Sequence, residues 1–321
     1  IRRVEGDVIV DDSYFDQKLN RTEWIGSNER NEDEGAISAV SLDYNHVGVY
    51  VHATTKIKST PEIRVYPTGA IMKVVNKLKV AKVSRRRESV ILSLTENNGN
   101  YVLTASGKIR PGHYKYRSIR IKNPSVFTGA LFRYVLTSKG IAISGRVKTG
   151  ELPSNAVELA SHKLPIDSLL RVINKHSDNF SADHLLKILG AELGDKNGTA
   201  ESGNKAINNF IAENNIDTAH YKIFDGSGLS RKNRLTAYML TQILYNIAIN
   251  KHLFERFYNS LSIAGVDGTL KHRMNDFSEP ETVRGKTGTL SDVCTLAGYT
   301  YSSKGELIVY TIFMNDIKRG I

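Results

Sequence analysis

The C-terminal third of the chain contains the stretch Gly285-Lys286-Thr287-Gly288-Thr289, followed by Val293-Cys294-Thr295-Leu296-Ala297-Gly298-Tyr299. Its composition predicts one strand from Thr282 to Thr289 and the next from Val293 to Tyr301. A further apolar run, Leu307 to Met314, comes after a glycine turn signal and predicts another strand. The chain is therefore expected to end in neighbouring strands, with a Lys-Thr-Gly triplet on the first of them.

A second polar triplet, Ser177-Asp178-Asn179, precedes these strands. It follows a predicted helix from Ile166 to Lys175 and precedes another that contains Leu185, Leu186 and Ile188. The triplet is thus expected on a loop between two helices. All three residue types also favour helix caps, so a purely structural capping turn is the competing interpretation.

Residues 36–122 have the pattern of β-strands. Apolar and polar residues alternate at period two in 46–51 and 62–66, and residues 91–95 and 101–104 predict a hairpin. Near Asn123-Pro124 the period becomes helical. The region up to Lys122 is therefore predicted to be β-rich, and the rest to mix helices with strands.

Length and charge limit the range of functions. The 321 residues suggest two or more domains, and the formal net charge is +11. Between Lys56 and Lys122 there are 16 Lys and Arg residues but only three Asp and Glu residues. This excess of positive charge favours the binding of polyanions, namely acidic wall polymers, anionic lipids or nucleic acid. The single cysteine, Cys294, and the histidine spacing predict neither an internal disulfide nor a metal site, and no cofactor is expected.

The two triplets are two of the three motifs of active-site-serine enzymes that bind β-lactams. The order in that pattern is S-x-x-K, S-x-N and then K-T-G. A second triplet, Lys148-Thr149-Gly150, precedes Ser177, and Ser202-Gly203-Asn204-Lys205 follows it, so both are out of order. We interpret Ser202 as a helix N-cap instead.

A resemblance to a family becomes specific at the segment Asp225-Gly226-Ser227-Gly228-Leu229-Ser230-Arg231. It resembles a motif of the class C low-molecular-mass penicillin-binding proteins, which are D-alanyl-D-alanine carboxypeptidase/endopeptidases. The similarity runs from about Val4 to about Phe313. Four more stretches match in family order: residues 5–11, 175–179, 264–269, and 285–288 with 296–299.

The resemblance implies an α/β fold of the serine β-lactamase/transpeptidase type, with an antiparallel sheet covered by helices and β-rich inserted domains. We accordingly predict that residues 1–35 end one inserted domain and that 36–122 form a basic, β-rich inserted domain. Residues 123–321 are predicted to be the C-terminal part of the transpeptidase-like catalytic domain.

The resemblance also implies the roles of individual residues. Ser177 is expected to relay a proton to the departing D-alanine, and Asn179 to hydrogen-bond the substrate's amide carbonyl. Lys286 is expected to place positive charge beside Ser177. Substrate binding is assigned to Thr287, Gly288, Thr289 and Arg231, with the Thr289 backbone N–H forming half of the oxyanion hole.

The sequence departs from the family at the first motif, because its only S-x-x-K is the misplaced one at Ser202. We expect the 321 residues to be a fragment of a normal enzyme, which lacks the nucleophilic serine and its lysine. A natural inactive protein is the other interpretation. The family implies a periplasmic or otherwise extracytoplasmic location.

The expected partners are peptidoglycan stem peptides that end in D-Ala-D-Ala, with β-lactams as inhibitors. A contact with an anionic wall or membrane through the Arg85-Arg86-Arg87 run is a minor hypothesis. The rival functions are a β-lactamase-like hydrolase, a non-catalytic wall-binding protein, and a nucleic-acid-binding β domain. The last is not expected; it would stack bases on Tyr66, Tyr101, Tyr114 and Tyr116.

Overall fold

The computed structural model describes residues 1–25, 35–67, 71–97, 99–194 and 197–317. The helices within them are α1 (Thr22–Ile25), α2 (Pro124–Ser138), α3 (Ile166–His176), α4 (Asn179–Leu193), α5 (Ala200–Glu213), α6 (Ala237–Ile249) and α7 (Lys251–Ser260). The strands are β1 (Arg3–Val4), β2 (Val8–Val10), β3 (His46–His52), β4 (Glu62–Tyr66), β5 (Met72–Val80), β6 (Ser89–Asn97), β7 (Asn100–Ile109), β8 (Tyr114–Arg120), β9 (Ala142–Ile143), β10 (Val147–Thr149), β11 (Ser262–Ile263), β12 (Arg284–Thr289), β13 (Cys294–Tyr301) and β14 (Leu307–Met314).

The described residues form two compact units. The first contains residues 1–20 and 35–156, and the second contains residues 21–25 and 157–317. Helix α2 belongs to the first unit, where it packs on β2 and β10. The boundaries of the predicted segments, 1–35, 36–122 and 123–321, concern family domains and stay a prediction.

The first unit contains two three-stranded sheets and two short two-stranded parallel sheets, β1-β9 and β10-β2. One three-stranded sheet has the order β4-β3-β8 and is antiparallel; the other has the order β5-β7-β6, in which β5 and β7 run parallel. Alternation along the strands sends one face of each three-stranded sheet into a common core, where β-branched and aliphatic residues pack. That core includes Val47, Val49, Val51, Leu78, Leu103, Ile109 and Phe127.

The predicted hairpin is confirmed. Strands β6 and β7 pair antiparallel from Ser89 opposite Lys108 to Asn97 opposite Asn100. Asn98, within the predicted turn, lies outside the described residues. The rival nucleic-acid-binding interpretation loses Tyr101 as a stacking surface, because its ring is buried in the core, edge-on to Phe127 at 5.2 Å.

The second unit is organised around a four-stranded antiparallel sheet of order β11-β12-β13-β14. The C-terminal strands are confirmed, although β12 begins at Arg284 rather than Thr282, because residues 280–282 form a 3₁₀ turn. Helix α6 packs on β14 and β13. Buried Tyr299 anchors this contact, since its hydroxyl donates a hydrogen bond to the Leu244 carbonyl at 2.8 Å.

Helices α4 to α7 of the second unit begin at side-chain caps. Asp178 caps α4 by accepting a hydrogen bond from the Ser181 N–H at 2.7 Å. The prediction that Ser202 is the N-cap of a helix was wrong, because Ser202 occupies a different position of the same capping motif. Thr199 is the N-cap of α5, and Ser202 is the third helical residue, whose hydroxyl accepts the Thr199 N–H in a reciprocal capping box.

No helix among the described residues is long and apolar enough to cross a membrane.

Candidate active site

Ser177 lies at the junction of α3 and α4 in a strained backbone conformation. Its φ of 55° and ψ of 48° fall in the left-handed region, which few residues other than glycine adopt. The residue ends α3, and Asp178 then starts α4 at once. This abrupt junction orients the Ser177 hydroxyl, and a strained residue of this kind is typical of a functional site.

Lys286 reaches that hydroxyl from the neighbouring sheet. Its Nζ donates a hydrogen bond of 2.7 Å to Ser177 Oγ and another to the Thr287 carbonyl. The side chain is partly buried, and burial lowers the pKa of the Lys286 ammonium to about 8. A hydroxyl held against an ammonium with a pKa near neutrality is well suited to passing protons.

The two residues open into a cavity of about 290 Å³. Asn179 lines the same cavity as Ser177 and Lys286, so the three residues meet at one cavity, and their catalytic roles stay a prediction. The loop between β12 and β13 closes one side. The remaining walls are residues 226–229, 287–290, Ile173, Asp178, Ala182, Val293 and Thr295.

Strand β12 runs along this cavity. A side chain at Gly288 does not fit, because a Cβ atom there would lie 2.4 Å from Thr295 Oγ1. Thr287 donates its hydroxyl hydrogen to Thr269 Oγ1 at 2.9 Å, so that proton is already used within the protein. Thr289 is exposed at the end of the strand, opposite Cys294.

The loop 225–231 forms another wall and is held by two carboxylates. Asp225 accepts hydrogen bonds from the N–H groups of Gly228 and Ser230. Asp183, fully buried on α4, accepts the N–H groups of Gly226 and Ser227 at 2.8 and 3.1 Å. Gly226 is required for this approach, because a Cβ atom would lie 2.3 Å from the Ala182 carbonyl.

A buried ion pair neutralises Asp183. The guanidinium of Arg21 donates to one of its oxygens from both Nε and Nη2. Burial raises the pKa of Asp183 to about 6, while the Arg21 guanidinium acts in the opposite direction and favours the ionised carboxylate. Beside the pair, the Lys187 Nζ lies 4.6 Å from the ring centre of Trp24. This polar cluster fixes the loop against α4.

Arg231 is placed differently from the other predicted residues. Its guanidinium bonds to Asp292 at 2.5 Å and to Ser291 Oγ at 2.8 Å, which lie in the loop after β12. It lines a second cavity of about 670 Å³ that shares Gly226, Gly228, Leu290, Val293 and Thr295 with the first. Arg231 therefore adjoins the Ser177 cavity without lining it.

Sequence reasoning missed Asp183, Arg21 and Asp292. Asp183 carried a usable signal, because it follows Asn179 by four positions on one helix and so shares its face. Arg21 is remote in sequence and carried none. Within the described residues, no group of three or more His, Cys, Asp or Glu side chains is arranged to hold a metal ion.

The antiparallel sheet, its covering helices and the Ser177–Lys286 cleft define a penicillin-binding, transpeptidase-like fold, as expected. Residues 1–320 match the family described as D-Ala-D-Ala carboxypeptidase 3 (S13). The chain therefore belongs to this S13 family, and the resemblance found in the sequence is confirmed.

Two curated relatives span nearly all of the chain. A D-alanyl-D-alanine carboxypeptidase of Actinomadura sp. (strain R39) is 28% identical over 96% of the chain. The D-alanyl-D-alanine carboxypeptidase DacB of Haemophilus influenzae is 26% identical over the whole chain. The chain spans 59% of the first relative's length and 67% of the second's.

A solved structure supports the same relationship. Penicillin binding protein 4 (dacB) of Haemophilus influenzae matches the whole chain with a TM-score of 0.80 and 25% identity, over 71% of its own length. The same protein complexed with a β-lactam matches 88% of the chain, and 66% of its own length, with a TM-score of 0.70 and 26% identity.

Proposed function

We propose that the cavity around Ser177 is part of the active site of a serine D-Ala-D-Ala carboxypeptidase/endopeptidase that acts on peptidoglycan peptides and is acylated by penicillins. The observation that carries this proposal is the 2.7 Å hydrogen bond from Lys286 Nζ to Ser177 Oγ, made within a cavity that Asn179 also lines. Family membership and the DacB relatives support it independently.

The reaction is an acyl transfer. A serine hydroxyl, which we expect from the family's S-x-x-K segment, attacks the carbonyl carbon of the penultimate D-alanine. The C–N bond to the terminal D-alanine breaks, and the hydroxyl proton reaches the leaving nitrogen. Water then hydrolyses the ester and restores the serine. In an endopeptidase, the leaving amine belongs to a neighbouring stem peptide.

Each cavity residue has a role in this scheme. Ser177 passes the proton to the leaving nitrogen, and Asn179 donates a hydrogen bond to the substrate's amide carbonyl. Lys286 stabilises the oxygen of Ser177 and attracts the terminal carboxylate. Thr289 contributes a hydroxyl and its backbone N–H, and Gly288 leaves the strand edge open to the substrate.

Two assignments need local rearrangement. The hydroxyl of Thr287 must exchange its bond to Thr269 for one to the substrate's carboxylate. Arg231 must exchange Asp292 for the carboxylate, or else bind a more distant part of the substrate in the second cavity. The second route leaves the ion pair intact.

The basic first unit suggests a further contact with anionic wall polymer or membrane, and it is consistent with an extracytoplasmic location. The support is the Arg85-Arg86-Arg87 turn, in which all three side chains are exposed. Such binding weakens as salt rises, because counterions screen exposed charges. Cosedimentation with anionic lipid vesicles at low and high salt tests it, and salt-independent binding contradicts it.

Labelling with a fluorescent penicillin tests the catalytic proposal. We expect a covalent adduct on the complete product of the gene and none on the 321 residues alone. Ser177→Ala in the complete product is expected to slow the release of D-alanine from a pentapeptide by about 100-fold, the usual worth of a positioned proton donor. Ser278→Ala, at an exposed position of the same unit that does not line the cavity, is the control and should leave the rate unchanged.

The outcomes separate the alternatives. Rapid loss of the penicillin adduct with turnover indicates a β-lactamase instead of a peptidase. No adduct on the complete gene product favours a non-catalytic wall-binding protein. An adduct on the 321-residue chain itself would overturn our account of where the nucleophile lies.

A further inference from the structure

The outer face of the β4-β3-β8 sheet carries a cluster of exposed tyrosines. Alternation along β3 buries Val47, Val49 and Val51 in the core and directs the remaining side chains to the opposite surface. The register places Tyr50 opposite both Arg64 and Tyr116. We call this surface the tyrosine face; it consists of Gly48, Tyr50, His52, Glu62, Arg64, Tyr66, Tyr114 and Tyr116.

The rings form a continuous platform. The Tyr50 centroid lies 4.9 Å from that of Tyr116 and 6.2 Å from that of Tyr114, with the planes tilted by 47° and 38°. Gly48 lies beneath them, because a Cβ atom there would lie 3.1 Å from the Tyr116 ring and 3.6 Å from the Tyr50 ring. The missing side chain lets both rings lie down over the strand.

The platform remains open to solvent. The exposed fractions are 38% for Tyr50, 48% for Tyr116, 56% for Tyr114 and 59% for Tyr66. Single exposed apolar residues are normal on a protein surface, but four exposed rings on one small sheet form a patch. Exposed aromatic patches of this kind mark binding sites.

Polar groups surround a pocket on the same face. The pocket has a volume of about 490 Å³ and is lined by Tyr50, His52, Glu62, Arg64 and Tyr114. It offers ring surfaces on one side and a carboxylate, a guanidinium and an imidazole on the other. A ligand that fits it has one apolar face and hydrogen-bonding groups at its edge.

The charge of the tyrosine face argues against a polyanion. Although residues 56–122 are strongly basic, Arg64 is paired with Glu62 at 2.7 Å. Lys115, on the alternate positions of β8, turns towards Glu88 instead. A carboxylate beside these tilted rings repels phosphates but accepts hydrogen bonds from hydroxyl groups. The face therefore matches a neutral ligand rich in hydroxyl groups.

We propose that the tyrosine face binds the glycan strand of peptidoglycan, a polymer of N-acetylated amino sugars. A pyranose ring presents a face of C–H groups that packs on aromatic rings, while its edge hydroxyls and amides reach Glu62, Arg64 and His52. The choice of this glycan rests on the proposed function. The site holds the polymer itself, whereas the cavity around Ser177 takes the peptides attached to it.

Calorimetric titration of the 321-residue chain with peptide-free glycan strands and with a β-1,4-linked N-acetylglucosamine hexamer tests the proposal. Tyr114→Ala and Tyr116→Ala are each expected to raise the Kd by about tenfold, equivalent to about 1.4 kcal/mol for a lost stacking surface. Tyr114→Phe keeps the ring and should bind within about twofold of the parent chain. Tyr238→Ala, an equally exposed tyrosine on α6, is the matched control and should bind normally.

The salt dependence and the competing ligands complete the test. Affinity for the uncharged N-acetylglucosamine hexamer should stay constant between about 50 mM and about 500 mM salt, because no charge pairing is involved. The proposal is overturned if no saturable binding is seen. It is also overturned if the alanine variants keep their thermal midpoint and bind as tightly as the parent chain. Binding confined to single-stranded DNA or anionic vesicles overturns it as well. The titration does not require an acyl-enzyme, so its result does not depend on whether penicillin labelling succeeds.

Discussion

The chain contains two Lys-Thr-Gly triplets, and their surroundings differ in every respect that matters for chemistry. The first, at residues 148–150, lies at the end of the three-residue strand β10, where the Lys148 side chain is 60% exposed and pairs with Asp7. The second, at residues 286–288, lies inside a four-stranded sheet, where Lys286 is partly buried against Ser177. Identical letters thus give a solvated ion pair in one place and a lysine with a lowered pKa in the other.

The Lys-Thr-Gly motif therefore acquires its chemistry from neighbours that are distant in sequence. Lys148 has a carboxylate partner in water, and a surface pair of this kind contributes little. Lys286 has a hydroxyl partner in a cavity from which water is partly excluded, so its charge acts at short range and through a lower dielectric.

The largest difference is expected when each lysine is removed. In the complete gene product, Lys286→Ala should slow acylation by penicillin by about 1000-fold, since both the charge beside Ser177 and the attraction for the carboxylate are lost. Lys148→Ala should leave the rate within about twofold of the parent, because an exposed ion pair has no part in the reaction. Stopped-flow labelling with a fluorescent penicillin measures both. Equal effects of the two substitutions contradict the assignment of the second triplet.

A smaller difference is expected when a methyl group is added to each glycine. Gly288→Ala forces a contact of 2.4 Å with Thr295 Oγ1, whereas Gly150→Ala meets Ile9 at 3.2 Å. We expect the first to lower the free energy of unfolding by about 2 kcal/mol and the second by less than about 1 kcal/mol.

Urea denaturation measures these values. The single tryptophan, Trp24, belongs to the second unit, so its fluorescence follows Gly288→Ala, while circular dichroism follows both units. If Gly288→Ala is as stable as the parent chain, Thr295 turns aside without cost and the strand edge is less tightly packed than described.

The smallest effect is a pH dependence that only the second lysine is expected to cause. The pKa of Lys286 is lowered to about 8 by burial, so its charge is present below that pH and lost above it. Acylation by penicillin should therefore fall by about tenfold between about pH 7 and about pH 9. Lys286→Arg, which stays charged, should remove this decline, and an unchanged pH profile in that variant assigns the titration to another group.

The same shift has a consequence for stability with a definite sign. The folded pKa of Lys286 lies below its unfolded value of about 10.4, so between these two pH values the unfolded chain binds more protons. The contribution of Lys286 to stability therefore rises with pH across that window. Below about pH 8 the folded protein bears the full cost of keeping the ammonium partly out of water.

Much of the second unit could be predicted because its signals are local. The apolar run placed β14 at Leu307–Met314, and the helical patterns on either side placed Ser177 and Asp178 between two helices, although Asn179 is already the first residue of α4. The start of β12 was harder to predict. Strand propensity alone assigns Thr282 to the strand, but residues 280–282 form a 3₁₀ turn.

The partners of Arg231 and Asp183 could not be predicted. Arg231 bonds to Asp292, 61 positions later in the sequence, and Arg21 lies 162 positions before Asp183. Ion pairs between distant segments leave no periodic signal. Order along the chain did separate the true Lys-Thr-Gly triplet from the false one, because the family arrangement constrains sequence order even where contacts do not.

Helix α4 carries Asn179 in its first turn and Asp183 one turn further along. Asn179 lines the cavity directly, while Asp183 holds the loop that forms another wall. Helix α4 therefore sets the positions of both walls relative to each other. Deleting one residue between them would rotate Asp183 by about 100° away from Asn179 and detach the loop, although neither residue would be changed. Insertions and deletions should therefore be far rarer within residues 179–183 than in the loop itself.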